Sequence, residues 1–236
     1  MKLGNFVETG QVTALRQAIS EAMDAGAGYP TILMAYGEAG MGKTWAARKL
    51  HAGTDLGGCY MRAMEGMTQN AFLQELCFEI TGTRPTRSMH CKQAIIKKLQ
   101  SEPVPIFADE IERLAIGRLE DLRDITDMTG APVILIGELA LPTRVAARER
   151  INDRIPEAYR IKFDAIKAKD IMFYAKKAAD LSLTPEAGSV VFDSTKGNFR
   201  RVDNAVLSLK KAARAYGSTE ISADMASKVL KSKGGN

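Results

Sequence analysis

Apolar runs and amphipathic segments alternate along the first 165 residues of the chain. Apolar runs predict buried strands at residues 31–36, 104–110 and 132–137. A short strand is predicted at residues 59–61, and a last strand at 159–164. Apolar residues at helical spacing predict helices between them, at residues 12–25, 68–80, 88–100 and 119–128, with another beginning at residue 45. Strands that alternate with helices are typical of an α/β domain with a largely parallel sheet.

The pattern changes after Asp164, because no further strand-like run follows and three or four helices come in succession. Thr184 and Pro185 form a good N-cap and first-turn pair, and Ser222 is a plausible later cap. We therefore predict an α/β core at residues 1–165 and a small helical domain at 166–236.

Composition permits several classes of protein and argues against others. The 236 residues are 45% hydrophobic and carry a formal net charge of +5, a mild bias towards polyanions that permits nucleic acid without indicating it. Cys59, Cys77 and Cys91 are odd in number and widely spaced, which fits neither a disulfide framework nor a zinc site. No apolar leader or membrane-length run is present, so we expect a soluble protein of a reducing cytoplasm, with no membrane partner.

The stretch GEAGMGKT, residues 37–44, matches the phosphate-loop pattern of Gly, four residues, Gly, Lys and Thr. It lies between a predicted strand and a predicted helix, where backbone N–H groups and a helix N-terminus face an anion. Lys43 supplies a charge for the β- and γ-phosphates, and Thr44 a hydroxyl for Mg²⁺. The predicted nucleotide contacts are Gly37, Glu38, Ala39, Gly40, Met41, Gly42, Lys43, Thr44 and Trp45.

Two acids end the predicted strand IFADE. Asp109 is placed to hold Mg²⁺, and Glu110 to orient and deprotonate a hydrolytic water. The alternative is that the two acids only cap a helix beginning at Ile111. Because a nucleotide kinase has no need of this adjacent base, Glu110 favours hydrolysis.

Two groups of arginines follow. Arg148, Arg150 and Arg154 precede the last predicted strand, and Arg200 and Arg201 open a helix of the small domain. An arginine can stabilise a transferring phosphoryl group, and a neighbouring subunit can supply it. Ordinary surface arginine is the alternative for each of them.

The order of these motifs resembles the AAA+ ATPases. The phosphate loop, ADE, ILIG, NDRI and GNFRR occur in the AAA+ order, and the opening FVETGQV resembles the segment before the core in one branch. That branch is the target-DNA-binding ATPases of Mu-like transposable phages, the Mu B protein family and its transposon relatives. The resemblance covers nearly the whole chain and implies a P-loop fold with a helical lid.

The resemblance also implies roles for single residues. Lys43 and Thr44 match the Walker A contacts, and Asp109 and Glu110 the Walker B pair.

Arg154 matches the arginine finger at a subunit interface, and Arg200 the sensor-2 arginine of the lid, which makes Arg200 a further predicted nucleotide contact. The chain departs from the family at Glu138, where a polar sensor-1 residue such as Asn is usual, and a carboxylate there would repel the γ-phosphate unless paired. The helix-turn-helix domain that precedes the core in Mu B protein is not seen, so we expect any DNA contact from the ATPase module.

In the family, ATP-bound subunits assemble helically around duplex DNA, with basic loops lining the channel. The matching region here is TGTRPTRSMHCK, with Arg84, Thr86, Arg87 and Lys92 as predicted phosphate contacts. A plain polar loop between helices is the alternative. A second basic set on a lid helix is interpreted as a solvated face: Lys210, Lys211 and Arg214.

The resemblance thus implies an ATP- and Mg²⁺-dependent, non-sequence-specific DNA-binding ATPase. It would assemble on target DNA as a helical filament or ring and recruit or activate a transposase. Two other classes stay open: an accessory ATPase that acts on a protein, such as a secretion or regulatory factor or a helicase loader, and a nucleotide-gated scaffold with little hydrolysis.

Overall fold

The computed structural model describes residues 7–25, 32–53 and 56–231. Its contacts divide the chain into two compact units. The described residues of Gln11–Glu38 and Lys43–Phe163 form one, and those of Met1–Gly10, Ala39–Gly42 and Asp164–Asn236 form the other. Thr31 of the first predicted strand and Phe6 of the FVETGQV segment lie outside the described residues.

The first unit contains a five-stranded parallel sheet, which confirms the predicted α/β class. The strands are β1 Ile32–Tyr36, β2 Cys59–Arg62, β3 Ile106–Asp109, β4 Val133–Gly137 and β5 Arg160–Lys162. Their order in the sheet is β2-β3-β4-β1-β5, with all four neighbouring pairs parallel. Parallel pairing brings the carboxyl ends of all five strands to one edge of the sheet, so the loops that follow them lie there together.

Helices cover this sheet. They are α1 Gly10–Ala25, α2 Lys43–His51, α3 Gln69–Thr81, α4 Ser88–Ser101, α5 Gly117–Thr129, α6 Leu141–Ala146 and α7 Glu149–Asn152. The side chains of β3 and β4 are buried throughout, as expected of strands covered on both faces. Thr68, with which the predicted helix at residues 68–80 begins, caps α3, because its hydroxyl accepts a hydrogen bond from the Ala71 N–H at 3.2 Å.

The second unit is mainly helical and has its own buried apolar cluster. It contains α8 Ala168–Ala179, β6 Ser182–Leu183, α9 Pro185–Thr195, α10 Phe199–Tyr216, β7 Glu220–Ile221 and α11 Ala223–Lys231. Thr184 and Ser222 cap α9 and α11 as predicted, each accepting from the N–H three residues later at 3.2 and 3.3 Å.

The prediction that no strand follows Asp164 was wrong. β6 and β7 pair in parallel over two residues each, a length at which strand periodicity cannot be read. The assignment of residues 1–165 and 166–236 to separate domains stays a prediction.

Two further observations concern the chain's chemistry. The three cysteines are buried and free. Burial is the main cause that raises the pKa of the Cys59 thiol to about 12. Across residues 7–25, 32–53 and 56–231, no helix has the length and apolarity needed to cross a membrane.

Candidate functional site

The predicted phosphate loop connects β1 to α2. Gly37, Gly40 and Gly42 all have positive φ angles, 149°, 85° and 98°, which side chains disfavour. Gly37 also allows a close backbone approach, since a Cβ there would stand 2.3 Å from the carbonyl oxygen of Phe163. The loop therefore takes a path that requires these glycines and leads directly into the N-terminus of α2.

Lys43 folds back over this loop. Its Nζ donates to the carbonyl oxygens of Gly37 at 2.7 Å and Glu38 at 2.8 Å. The ammonium is thus held beside the backbone that the motif assigns to phosphate binding. Thr44 and Trp45 follow in the first turn of α2 and are half-buried.

Asp109 ends β3 with its carboxylate already oriented. The residue is only 2% exposed; Oδ2 accepts from the Tyr60 hydroxyl at 2.7 Å and Oδ1 from the Glu110 N–H at 2.9 Å. Burial, together with the neighbouring Asp109, raises the pKa of Tyr60 to about 12, so the phenol stays a proton donor near neutral pH. Sequence reasoning missed Tyr60, whose role follows from the pairing of β2 with β3.

Glu110 sits in a left-handed backbone conformation with φ 55°, uncommon for a residue with a side chain. Two arginines hold its carboxylate. Arg62 donates to Oε1 through Nε at 3.1 Å and through Nη2, and Arg113 forms an ion pair with Oε2 that lacks hydrogen-bond geometry. Both arginines are about half exposed, at 53% and 47%. Neither arginine was singled out from the sequence; Arg62 is 48 residues from Glu110 in the chain, and Arg113 is three residues from it.

A second acidic group lies at the same edge of the sheet. Glu138, directly after β4, is exposed, and Glu112 is half-buried with Oε2 accepting no hydrogen bond from the described part of the chain. Burial raises the pKa of Glu112, and the negative charges of Glu138 and Glu110 act in the same direction. Glu138 therefore adds to a local concentration of carboxylates.

The loop tip, Ala39–Gly42, belongs by its contacts to the helical unit. The Asn198 side chain caps α10 by accepting from the Arg201 N–H at 3.3 Å and donates through Nδ2 to the Ala39 carbonyl at 2.8 Å. The Arg200 N–H donates to the Gly40 carbonyl at 3.0 Å. The GNFRR motif thus contacts the loop tip through the Asn198 side chain and the Arg200 backbone N–H. Sequence reasoning missed this contact. The Arg200 side chain itself is exposed.

Arg154 has partners within its own chain. Nε and Nη2 donate to the two carboxylate oxygens of Asp127 at 2.7 and 2.9 Å, and Nη1 donates to the Arg150 carbonyl at 2.7 Å. The ion pair is partly exposed, at 39% and 36%. Arg148 and Arg150 are exposed, and neither side chain forms an ion pair with any residue that the structure describes.

The four predicted DNA contacts divide into two classes. Arg84 pairs with Glu75 at 2.8 Å and lies over the Phe78 ring, 4.3 Å from its centroid. Lys92 is only 18% exposed and pairs with Asp124 at 2.6 Å and Asp121 at 3.5 Å.

Thr86 and Arg87 differ from these two residues. Both are exposed at the start of α4, where they line a surface groove of about 560 Å³ together with Met89.

The residues present fit a nucleoside triphosphate and Mg²⁺. The glycine-dependent loop, the Lys43 ammonium above it and the N-terminus of α2 supply donors for phosphates. The Thr44 hydroxyl and the buried Asp109 carboxylate are oxygen ligands of the kind Mg²⁺ takes, usually with waters and phosphate oxygens. No group of three or more His, Cys, Asp or Glu side chains that could hold a metal ion occurs within the described ranges.

Comparisons with known proteins agree with this geometry. The sequence pattern of the family described as "AAA domain" matches residues 27–145, half of the chain. No curated protein matches the sequence significantly.

Solved structures share the fold at low sequence identity. The ORC2 protein of Aeropyrum pernix superposes with a TM-score of 0.68 at 17% identity, over 94% of this chain and 67% of that one. Domain III of the replication initiation protein DnaA of Thermotoga maritima gives 0.60 at 19%, over 98% and 95%. The RuvB Holliday junction branch migration motor of the same organism gives 0.55 at 16%, over 92% and 68%.

The chain thus spans about two thirds of the ORC2 and RuvB chains. The family match covers the strand, phosphate loop and helix described above, as well as β3 with its two acids. The chain belongs to the AAA domain family and is a P-loop ATPase with the AAA+ fold.

Proposed function

We propose that the protein is an ATP-dependent, non-sequence-specific DNA-binding ATPase of the Mu B type, which assembles on target DNA and recruits or activates a transposase. The observation that carries the DNA-binding part is the start of α4, where Thr86 and Arg87 are exposed beside a surface groove and the Arg87 guanidinium has no ion pair among the described residues. The names of two structural neighbours, a replication initiation protein and a Holliday junction branch migration motor, support a DNA-directed role. Action in a bacterial or phage-infected cytoplasm is part of the same proposal.

In this proposal the phosphate loop binds ATP, and Asp109 and Glu110 promote its hydrolysis. Lys43 contacts the β- and γ-phosphates, and Thr44 and Asp109 hold Mg²⁺, which would supply charge neutralisation of the phosphates. Glu110 is the base that takes a proton from the attacking water. Arg200 serves as the sensor of the lid.

Arg154 is proposed to act on the nucleotide of a neighbouring subunit in a filament or ring. Its pair with Asp127 is partly exposed, and such pairs contribute only about 0–1 kcal/mol, so a phosphate could replace the carboxylate at little cost. Arg148 and Arg150, without carboxylate partners among the described residues, are the competing candidates.

The contacts of Glu110 predict that Arg62→Ala raises basal ATP hydrolysis. A carboxylate held by two cations is a poorer base, and loss of one partly exposed pair worth up to about 1 kcal/mol corresponds to a rise in kcat of up to about fivefold. Steady-state phosphate release without DNA measures the effect, with Lys97→Ala, which removes an exposed charge from α4, as the control. A fall in kcat would instead mean that Arg62 holds Glu110 in its working position.

DNA binding tests the proposed function. With ATP, the protein should bind unrelated duplexes with equal affinity, and binding should weaken steeply with salt because phosphate contacts release counterions. Arg87→Ala and Arg84→Ala should each weaken binding equally across sequences and reduce the salt slope by about one. Lys97→Ala, an exposed charge farther along α4, is the control.

Fluorescence anisotropy over a salt series measures these affinities. Strong preference for one sequence, or unchanged binding in both arginine variants, would contradict the assigned surface. ATP turnover that responds to a protein but not to DNA would favour an accessory ATPase that acts on a protein. Absence of turnover would favour a nucleotide-gated scaffold. Transposase recruitment is tested by co-sedimentation of the DNA-bound assembly with a transposase.

A further inference from the structure

The net charge of the chain is concentrated in its C-terminal part. Residues 1–163 contain 20 basic and 20 acidic residues, whereas residues 164–236 contain 13 basic and 8 acidic ones. The later segment therefore carries the whole formal charge of +5. A polyanion would be attracted chiefly to the helical unit.

Within that unit, α10 presents a continuous exposed face. At 100° per residue, five positions fall within an arc of about 80°. They are the exposed residues Arg200, Asn204, Leu207, Lys211 and Arg214, which we call the α10 face.

Few acids oppose the charges of this face. Asp203 is the one acid in the sequence of α10; it is half-buried and accepts a hydrogen bond from the Tyr174 hydroxyl of α8. Lys211 and Arg214 form no ion pair with the part of the chain that the structure describes. Exposed lysines elsewhere do: Lys98 pairs with Glu102, Lys176 with Asp180 at 2.6 Å and Lys228 with Asp224 at 2.6 Å.

The spacing of the face suits a nucleic-acid backbone. Arg200, at the N-terminal end of the face, is proposed as the sensor of the lid, so the DNA contacts begin at Asn204. From Asn204 to Arg214 is ten residues, or about 15 Å of helix, which matches about four base-pair steps of duplex DNA. Leu207, which is 51% exposed between Asn204 and Lys211, adds no charge that would repel a phosphate.

We propose that the α10 face binds the sugar–phosphate backbone of duplex DNA, as a second contact in addition to the start of α4. This inference rests on the proposed function and adds to it a second surface that attracts DNA. Contacts to phosphates carry no sequence information, in keeping with non-specific binding.

The test compares two double variants of the full chain with ATP. Lys211→Ala with Arg214→Ala removes two charges of the face, and Lys228→Ala with Lys231→Ala removes two charges from α11 as the matched control. The salt slope for the first should fall by about two, and its Kd for unrelated duplexes at 0.1 M salt should rise about 10- to 100-fold. The control should bind as the wild type does.

Two measurements separate charge from folding. Basal ATP hydrolysis and the circular-dichroism melting curve of the α10 variant should match the wild type, since both substituted side chains are exposed. Lys211→Arg with Arg214→Lys, which keeps the charge, should retain binding.

Each contrary result has its own meaning. An unchanged salt slope in the α10 variant, while the wild type binds DNA, overturns this inference and leaves the proposed function standing. The same result with altered self-association would assign the face to a protein interface and equally overturn it. A wild type that binds no DNA with ATP would remove the proposed function as well.

Discussion

Replacing Lys43 by alanine is expected to remove ATP hydrolysis and weaken nucleotide binding on the order of 100-fold or more. The Lys43 ammonium is held over the loop by the carbonyl oxygens of Gly37 and Glu38, so it needs little reorganisation to reach a phosphate. Hydrogen bonds to charged groups contribute about 1.5–3 kcal/mol each, and one such bond at the upper end equals two orders of magnitude in affinity. DNA-dependent assembly should be lost with nucleotide binding.

Trp45 offers a direct measurement of this loss. It is the single tryptophan of the chain and lies two residues after Lys43 in the first turn of α2, so its fluorescence should respond to nucleotide. Lys49→Ala removes the same charge from the last turn of that helix and should leave the titration unchanged. Unaltered ATP affinity in Lys43→Ala, with an unchanged melting curve, would show that the loop was assigned wrongly.

Most of the fold could be predicted from local sequence patterns. The runs around Phe107 and Ile134 are long enough and apolar enough to be recognised as buried strands, and both are fully buried. Thr68 and Thr184 mark helix starts through a chemistry that acts within four residues. β6 and β7 escaped prediction because two residues carry no readable period.

The site was predicted as far as it depends on contiguous motifs. The loop and the IFADE acids are local patterns, but what each side chain touches is not. Arg62 reaches Glu110 across 48 residues, and Arg154 reaches Asp127 across 27.

The same limit applies to the lid and to the expected DNA contacts. Asn198 meets Ala39 across 159 residues, and Lys92 finds its carboxylate partners 29 and 32 residues away. Charge in the sequence therefore indicates candidate cations without showing which of them already have anionic partners.

The subunit interface gives the second prediction. Arg154→Ala should bind ATP yet hydrolyse it at least about a hundredfold more slowly and assemble poorly, since arginine fingers contribute 10³–10⁵ in kcat in GTPases. Glu110→Gln should also bind Mg²⁺ and ATP but stop hydrolysis, and should give longer-lived complexes on DNA. Arg148→Ala and Arg150→Ala should lose less activity than Arg154→Ala.

Mixing the two inactive variants distinguishes action on the neighbour from action within the subunit. An interface that joins the Glu110 of an Arg154→Ala subunit to the Arg154 of a Glu110→Gln subunit has both groups intact. In random one-to-one assemblies about a quarter of interfaces are of this kind, so about a quarter of wild-type turnover should return. Because Arg154 must exchange Asp127 for a phosphate, Asp127→Ala should leave turnover at least at the wild-type level. Two fluorescent labels report whether the variants co-assemble. If they co-assemble and phosphate release does not recover, Arg154 serves only its ion pair with Asp127 and does not act in the neighbouring site.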